Sequence, residues 1–289
     1  MDKISISYKS TNRLIEELKK QENIEILKEG NFLASLFSKK KYANVYFHTG
    51  NLDEKSIENI INSKITIVNS FSAMNQIIAK TKVSHEKVKV IYPSIDVENK
   101  KSKEVKIKIS EELNIDVKTK LILFTAKNFK SSGVKEVLDI CSSLNSQDYK
   151  LIIAGEKKQI VALQFQLPKY KNLEEKIILL EDYKNIDDLF YASDIFLLPT
   201  YNKTFSSNVL KAMYCKCVVF LSIENDAKEV VDVFSSMDSP SDPSTAFKID
   251  AILLDKNELK KIKKENKKRA EEATLQANVE KFNYIIENV

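Results

Sequence analysis

Alternation between two kinds of apolar segment constrains the fold of this chain most. Short runs rich in β-branched residues alternate with longer segments whose apolar residues recur at helical spacing, which indicates parallel α/β layers. Over the first hundred residues the predicted strands are KISISY, NIEILK, NVYFHT, KITIVN and KVKVIYP, and the predicted helices are TNRLIEELKKQ, NFLASLFSKKK, DEKSIENIINS and FSAMNQIIAK. Several of these helices open on a capping residue, namely Thr11, Asn31, Asp53 and Ser70. We therefore predict a Rossmann-like lobe over residues 1–97.

A second series of the same kind follows a polar stretch, SIDVENKKSKEVKIKISEELNID, which we interpret as the crossover between two lobes. Its predicted strands are KLILFTA, YKLIIAG, KIILLE, DIFLLPT and KCVVFLS, and its predicted helices are GVKEVLDICSSL, IDDLFYAS and SSNVLKAMYC. We predict a second Rossmann-like lobe over 98–277 and a C-terminal helix over 278–289, with the tail helical throughout from Asn257. The segment SSMDSPSDPSTAF is predicted to be a mobile loop. Ligands of such lobes bind at the carboxyl ends of the strands.

Composition is that of a globular protein, since apolar residues make up 43% of the chain and charged residues 30%. No apolar run approaches the roughly 20 residues that span a bilayer. The first residues also lack the pattern of a signal peptide. The three cysteines, Cys141, Cys215 and Cys217, have no disulfide-framework spacing and are predicted to be small apolar residues of the core. We therefore expect a cytoplasmic protein.

The basic residues are almost all lysines, and the net charge is +5. Arg13 and Arg269 are the only arginines in the sequence. Because base readout and bidentate phosphate binding favour arginine, no nucleic-acid partner is expected. The run KKIKKENKKR is interpreted as the solvated face of a helix, and a membrane-surface or nucleic-acid patch remains the alternative.

Six segments follow one another in an order that is typical of a known family. They are ITIVNSFSAMNQI, KVKVIYPSIDVE, LILFTAKNFKSSGVKEVLDI, YKLIIAGE, IDDLFYASDIFLLPTYNKTFSSNVLKAM and NDAKEVVDVF. Together, from about Lys64 to the C terminus, they resemble the group 1 family of retaining glycosyltransferases, which have the GT-B fold and use nucleotide sugars. The resemblance implies an α/β protein of two Rossmann-like lobes, with the N-terminal lobe shortened here. It also implies a nucleotide sugar on the C-terminal lobe and an acceptor on the N-terminal lobe, with no cofactor and no metal.

The resemblance assigns candidate residues to the donor diphosphate. This group must be neutralised, because negative charge builds up on it as the glycosidic bond breaks. The family tends to have Arg and then Lys just before a glycine. Here Lys127 takes the first place, Lys130 follows, and Ser132 precedes Gly133. Lysine can still act on a diphosphate as a point charge. Lys127, Lys130 and Gly133 are therefore the predicted phosphate-binding residues.

The segment PTYNKTFSSNVLKAM corresponds to the donor loop of the family. Two family glutamates, which are separated by seven residues, map onto Lys203 and Lys211. Ammonium donors thus replace the carboxylates that accept hydrogen bonds from ribose hydroxyls. The residues after Lys203 are mostly small and polar and lead into a helix whose first N–H groups can face a phosphate, namely Thr204, Phe205, Ser206 and Ser207.

Two further positions match the family. Glu229 matches a glutamate near the start of a late helix, and an ordinary first-turn acid is the alternative. His48 ends the predicted strand NVYFHT, where a histidine of related enzymes helps to orient the donor sugar or the acceptor. It is the candidate catalytic residue, and a histidine at the rim without a role is the alternative.

The sequence leaves functions of different classes open. The first is a retaining hexosyltransferase with a reshaped donor site, which builds a glycan or glycolipid. The second is a catalytically inactive GT-B descendant that serves as a scaffold or binds a protein partner, and a binding module without turnover is a third. Four features favour the inactive descendant: Lys203, Lys211, the short first lobe and the absence of glycine from SISYKSTNRL. The ordered C-terminal segments favour the active enzyme and the inactive descendant equally. Peripheral contact with the inner membrane is a further alternative to a purely cytoplasmic location.

Overall fold

A computed structural model describes residues 3–27 and 41–288 of the chain. The helix predicted for NFLASLFSKKK, with its capping Asn31, lies outside the described residues. The chain divides into two compact units, which are Met1–Asp96 with Glu272–Val289, and Val97–Glu271. Each unit is built around one parallel sheet with helices connecting its strands. The predicted α/β fold with two Rossmann-like lobes is therefore confirmed.

The secondary-structure elements are named here in chain order. The strands are β1 (Ile4–Tyr8), β2 (Ile24–Ile26), β3 (Val45–Phe47), β4 (Ile65–Val68), β5 (Val88–Val90), β6 (Lys120–Thr125), β7 (Tyr149–Gly155), β8 (Ile177–Glu181), β9 (Ile195–Leu198), β10 (Val218–Ser222) and β11 (Ser236–Met237). The helices are α1 (Arg13–Leu18), α2 (Glu54–Asn62), α3 (Phe71–Thr81), α4 (Ser102–Glu112), α5 (Val134–Ser142), α6 (Lys157–Gln164), α7 (Ile186–Ala192), α8 (Ser207–Tyr214), α9 (Thr245–Leu254), α10 (Lys256–Glu271) and α11 (Leu275–Glu287).

The first unit has a five-stranded parallel sheet in the order β2-β1-β3-β4-β5. Successive strand residues point to opposite faces, so β3 sends Val45 and Phe47 to one side and Tyr46 to the other. The first side packs on apolar residues of α1 and α11, and the Phe47 and Phe282 rings stack 5.8 Å apart. The second side packs on Ile60 of α2 and Ile77 of α3. Both faces of this sheet are therefore covered.

Capping side chains fix where the helices of the first unit begin. Asp53 and Ser70 each accept a hydrogen bond from the backbone N–H three residues later, as predicted. Helix α1 begins at Arg13 and is capped by Asn12, whose Oδ1 accepts from the Ile15 N–H at 2.9 Å. The prediction of Thr11 as this cap is therefore wrong.

The second unit has a six-stranded parallel sheet in the order β11-β10-β9-β6-β7-β8. Residues 121–125 of β6 and every residue of β9 and β10 are buried. Continuous apolar strands of this kind are typical of a parallel sheet with helices on both faces. The carboxyl ends of β6, β7, β9 and β10 lie at one edge, from which the loops of the candidate site project. Cys141, Cys215 and Cys217 are buried and form no disulfide, in agreement with the predicted core role.

Several segments differ from their predicted structure. The predicted crossover contains helix α4, and α6 was not predicted. The tail is not helical throughout, because residues 272–274 separate α10 from α11, and Thr274 caps α11. The segment SSMDSPSDPSTAF contains strand β11 and a turn in which the Asp242 carboxylate accepts from the backbone N–H groups of Asp238 and Ser244.

The division into units also differs in detail from the predicted lobes of 1–97 and 98–277. The first boundary falls one residue earlier, after Asp96. After α10 the chain returns to the first unit, where Ile95 exchanges backbone hydrogen bonds with Ala273 and Leu275 at 2.8 and 3.1 Å. The helix predicted over 278–289 begins at Leu275 and packs on α1 in the first unit.

Candidate functional site

Gly133 brings the loop after β6 against the loop after β9. Its backbone is left-handed, with φ of 81°, a conformation that favours glycine. A Cβ atom at this position would lie only 1.9 Å from the carbonyl oxygen of Pro199. The two loops can therefore approach this closely only with glycine at position 133.

Hydrogen bonds then lock the two loops together. The carbonyl oxygen of Ser131 accepts from the Tyr201 N–H at 3.0 Å and from the Thr200 hydroxyl at 3.2 Å. The Asn202 amide donates to the Ser131 hydroxyl at 3.2 Å, and the Tyr201 hydroxyl donates to the Glu136 carboxylate at 2.8 Å. All these bonds lie at the carboxyl edge, so its backbone is fixed without help from the lysine side chains.

Phe129 anchors the middle of the loop after β6. Its ring covers Gly155 at the end of β7, where a Cβ atom would come within 2.4 Å of the ring. The Phe129 N–H donates to the Gln159 side chain at 2.6 Å, and the amide of the same side chain donates to the carbonyl oxygen of Lys127 at 3.0 Å. The loop is thus pinned through its backbone, while the side chains of Lys127 and Lys130 are exposed.

Asn225, which follows β10, organises the donor loop and was missed by the sequence analysis. Its side-chain amide donates to the carbonyl oxygens of Asn202 and Thr204, both at 2.8 Å. Its side-chain oxygen accepts from the N–H groups of Ser206 and Ala227 at 3.1 and 3.0 Å. This single buried side chain therefore holds the loop from β9 to α8 in place. Only its position just after an apolar strand could have indicated such a role.

The predicted donor-loop residues occupy different environments. Lys203 and Thr204 are exposed, Phe205 is buried beneath them, and Ser206 and Ser207 lie at the start of α8. The Lys203 carbonyl accepts from the Asp226 N–H at 2.8 Å, which fixes its backbone but leaves the ammonium group exposed.

Lys211 does not join the other predicted cations. Its Nζ lies 2.6 Å from a carboxylate oxygen of Asp187 and 5.9 Å from the centre of the Phe190 ring. Both partners belong to α7, so this ammonium group is neutralised by a neighbouring helix. Lys211, predicted as a donor-loop residue, thus lies in α8 and pairs with α7.

Three exposed lysines remain at this carboxyl edge, namely Lys127, Lys130 and Lys203. None of them has an ion pair or a side-chain hydrogen bond with any described residue. Lys127 acts on Glu156 only at longer range. The pKa of Glu156 is lowered mainly by its hydrogen bond with Lys158 and to a smaller extent by Lys127. The edge thus presents three positive charges without counter-ions on a fixed backbone.

Two candidates remain, one in the turn that follows Asn225 and one in the first unit. Glu229 is in a short 3₁₀ turn over Asp226–Val230, not in an α-helix, and is half-buried. His48 belongs to the first unit and is 3% exposed, with Nε2 at 3.2 Å from the Gly50 carbonyl oxygen. Its Nδ1 has no hydrogen-bond partner among the described residues. Burial, with a contribution from Lys9, lowers the pKa of His48, so the imidazole is neutral at pH 7.

The described residues contain neither a metal-binding cluster nor a helix that could span a membrane. In 3–27 and 41–288, no group of three or more His, Cys, Asp or Glu side chains is arranged to hold a metal ion. Over the same residues, none of the helices has the length and apolar character needed to cross a membrane.

Comparison with known proteins decides the family. Residues 105–269, more than half of the chain, match the family described as glycosyl transferases group 1. The chain belongs to this family. The match covers the site described above, including the loops after β6 and β9.

A curated relative is the N-acetylgalactosamine-N,N'-diacetylbacillosaminyl-diphospho-undecaprenol 4-alpha-N-acetylgalactosaminyltransferase of Campylobacter jejuni. It is 25% identical over 210 residues, which are 71% of this chain and 54% of the relative. The chain therefore spans about half the length of this relative.

Solved structures of similar fold include the following two proteins. Alr3699/HepE of Anabaena in complex with UDP has a TM-score of 0.70 and 16% identity, over 85% of this chain and 72% of that protein. WaaG, a glycosyltransferase involved in lipopolysaccharide biosynthesis, has a TM-score of 0.66 and 12% identity, over 96% of this chain and 97% of that protein. At these identities the likeness shows the fold, which is GT-B.

Proposed function

We propose that this chain transfers a sugar from a nucleotide-sugar donor, whose diphosphate binds at the carboxyl edge of the second sheet. The observation that carries the proposal is the set of Lys127, Lys130 and Lys203, which are exposed and unpaired above two interlocked loops. Unpaired cations on a fixed backbone suit a ligand that gains negative charge during the reaction, since little reorganisation is needed when the charge develops.

The lysines would replace the family's basic residues at the diphosphate but not its glutamates at the ribose. As point charges, Lys127 and Lys130 can neutralise the diphosphate when its bond to the sugar breaks. The first N–H groups of α8 point to the same edge and favour an anion. No carboxylate occupies positions 203 and 211 to accept from the ribose hydroxyls. We therefore infer that affinity depends more on the diphosphate than on the ribose.

The relatives suggest which ligands to test first. UDP is the nucleotide in the Anabaena HepE complex, so UDP sugars are the first candidate donors. The name of the Campylobacter relative describes a lipid-linked diphosphate acceptor, and we propose an acceptor of that class here. We also propose retention of the anomeric configuration, and a cytoplasmic location with peripheral contact at the inner membrane. His48, with a buried and neutral imidazole, would belong to the acceptor side.

Ligand binding tests this proposal directly. Calorimetry and thermal unfolding with UDP, GDP, ADP and CMP compounds should identify at least one ligand. A ligand at 100 times its dissociation constant adds about 2.7 kcal/mol to the free energy of unfolding. Lys130→Ala and Lys203→Ala should each weaken its binding about ten-fold, which is the scale of a charged hydrogen bond. The control Lys171→Ala removes an exposed lysine ahead of β8 and should change nothing. Absence of any binding by the wild-type chain would overturn the proposal.

A non-catalytic, partner-binding role is the second candidate, and the Lys211–Asp187 ion pair favours it. Lys211, at a position where the family has a carboxylate, here holds α8 against α7, as expected if the donor site were no longer in use. The variant Lys203→Glu separates the two roles. If the lysine binds the diphosphate, an acid at this position should weaken nucleotide binding. If the site instead descends from one that used a carboxylate here, the wild-type chain should bind no nucleotide. The variant should then still bind none or should regain binding.

A further inference from the structure

Helix α10 carries its lysines on two different faces. The helix contains eight basic and three acidic side chains. One face is buried through Leu259, Ile262, Asn266 and Ala270. Lys263 at the border of this face ion-pairs with Asp194 at 2.7 Å. A lysine near the buried face thus helps to stabilise the folded chain.

The outer face carries a stripe of like charges, formed by Lys260, Lys264 and Lys268. Spacing of four residues places them on one side of the helix, about 12 Å from first to last. All three are exposed, and none has an ion pair with a described residue. Like charges four residues apart destabilise a helix, so the stripe costs stability within the isolated chain. An anionic partner would reverse that cost.

Exposed apolar side chains precede this stripe. Phe247 and Leu254 of α9 are 72% and 78% exposed, and their spacing of seven residues places them on one face of that helix. Helix α10 begins at Lys256, two residues after Leu254. Apolar side chains combined with a lysine-rich helix are typical of binding to a membrane surface, whereas nucleic-acid sites favour arginine.

We propose that the lysine stripe of α10 docks on an anionic phospholipid surface, with Phe247 and Leu254 entering its interfacial layer. Charge complementarity selects this partner, because each lysine near an anionic leaflet strengthens binding about five-fold. The stripe is shorter than about two Debye lengths at physiological salt, so its charges act together. The biological meaning of this docking rests on the proposed function, since it would bring the chain to a lipid-linked acceptor.

Vesicle co-sedimentation of the full chain tests the docking. The wild-type chain should bind phosphatidylcholine vesicles only when they contain phosphatidylglycerol, and high salt should release it. The triple variant Lys260→Gln, Lys264→Gln, Lys268→Gln should bind about 100-fold more weakly. The matched control is Lys118→Gln, Lys169→Gln, Lys171→Gln, which removes the same charge from exposed lysines of the same unit and should bind as the wild type does. Equal loss in both variants, or no vesicle binding at all, would overturn the proposal.

Two further arms separate the alternatives. Phe247→Ser with Leu254→Ser should weaken vesicle binding but leave binding to single-stranded RNA unchanged. Tighter binding to RNA than to vesicles through the same lysines would overturn the lipid partner in favour of a nucleic acid. Vesicle binding is measured without nucleotide, so its failure is distinguishable from failure of nucleotide binding. Thermal unfolding checks each variant, and the triple variant should unfold no earlier than the wild type because a like-charge repulsion is removed.

Discussion

The two edges of the six-stranded sheet use lysine in opposite ways. At the amino edge, the Asp194 carboxylate is buried and lies 2.8 Å from Lys106 Nζ and 2.7 Å from Lys263 Nζ. It also accepts from the Leu121 N–H at 3.1 Å. Burial would raise the pKa of Asp194, but Lys263 and Lys106 outweigh it and hold this pKa well below its usual range.

At the carboxyl edge the lysines have no such partner. Lys127, Lys130 and Lys203 are exposed, and neutral hydrogen bonds through Ser131 and Asn225 hold the backbone. One residue type therefore joins α4 and α10 to the sheet at one edge and stays free to meet a ligand at the other. The difference lies in the buried carboxylate, since a lysine with a partner contributes to folding, whereas a lysine without one is available for the ligand proposed above.

Removal of the buried carboxylate should have the largest effect on stability. Asp194→Asn removes the counter-ion of three partly buried ammonium groups, those of Lys106, Lys120 and Lys263, which should cost about 3 kcal/mol of the free energy of unfolding. Urea denaturation measures this loss. The control Asp148→Asn changes an exposed acid just before β7 and should cost less than about 0.5 kcal/mol. A loss at Asp194 as small as in the control would contradict the structural role of the amino-edge lysines.

The same carboxylate predicts a dependence on pH. The pKa of Asp194 is lower in the folded chain than in the unfolded one, so its contribution is complete above the unfolded value of about 3.9 and is lost as pH falls below it. The free energy of unfolding of the wild-type chain should therefore fall below this pH. The decrease should be smaller in Asp194→Asn, which has no carboxylate to titrate.

Gly133→Ala should have the next largest effect and would disturb the carboxyl edge specifically. The new Cβ atom would collide with the Pro199 carbonyl oxygen, in addition to the strain of a left-handed alanine. We expect a loss of about 2 kcal/mol together with weaker nucleotide binding. Gly50→Ala is the matched control, because Gly50 has φ of 77° but no atom within 4 Å of its Cβ position. It should lose about 1 kcal/mol, so equal losses would show that the loops can move apart freely.

The sequence predicted every strand of the two sheets except β11, because the other strands are short runs rich in β-branched or apolar residues, whereas β11 lies in a segment of Ser, Asp and Pro. Helix α4 was not predicted, since ion pairs of Lys106 and Lys108 with Asp194 and Asp188, 88 and 80 residues away, help to hold it. No local pattern contains such partners. The position of Gly133 was predicted by resemblance alone, and the structure supplies its physical reason. The pairing of Lys211 with α7 could not be predicted, because it depends on how two helices pack.

The smallest effect on stability should come from the lysines of the carboxyl edge. Its size tests most directly whether the two edges of the sheet use lysine in different ways. Lys130→Ala with Lys203→Ala should change the free energy of unfolding by less than about 0.5 kcal/mol, because neither ammonium group has a partner to lose. Lys106→Ala with Lys263→Ala should cost well over 1 kcal/mol, because it leaves the buried Asp194 with only the more distant Lys120, 3.8 Å away. Urea denaturation of the two double variants gives both values at equal change of net charge. If they lost similar stability, the carboxyl-edge lysines would be part of the folded framework, and their assignment to a ligand would lose its physical basis.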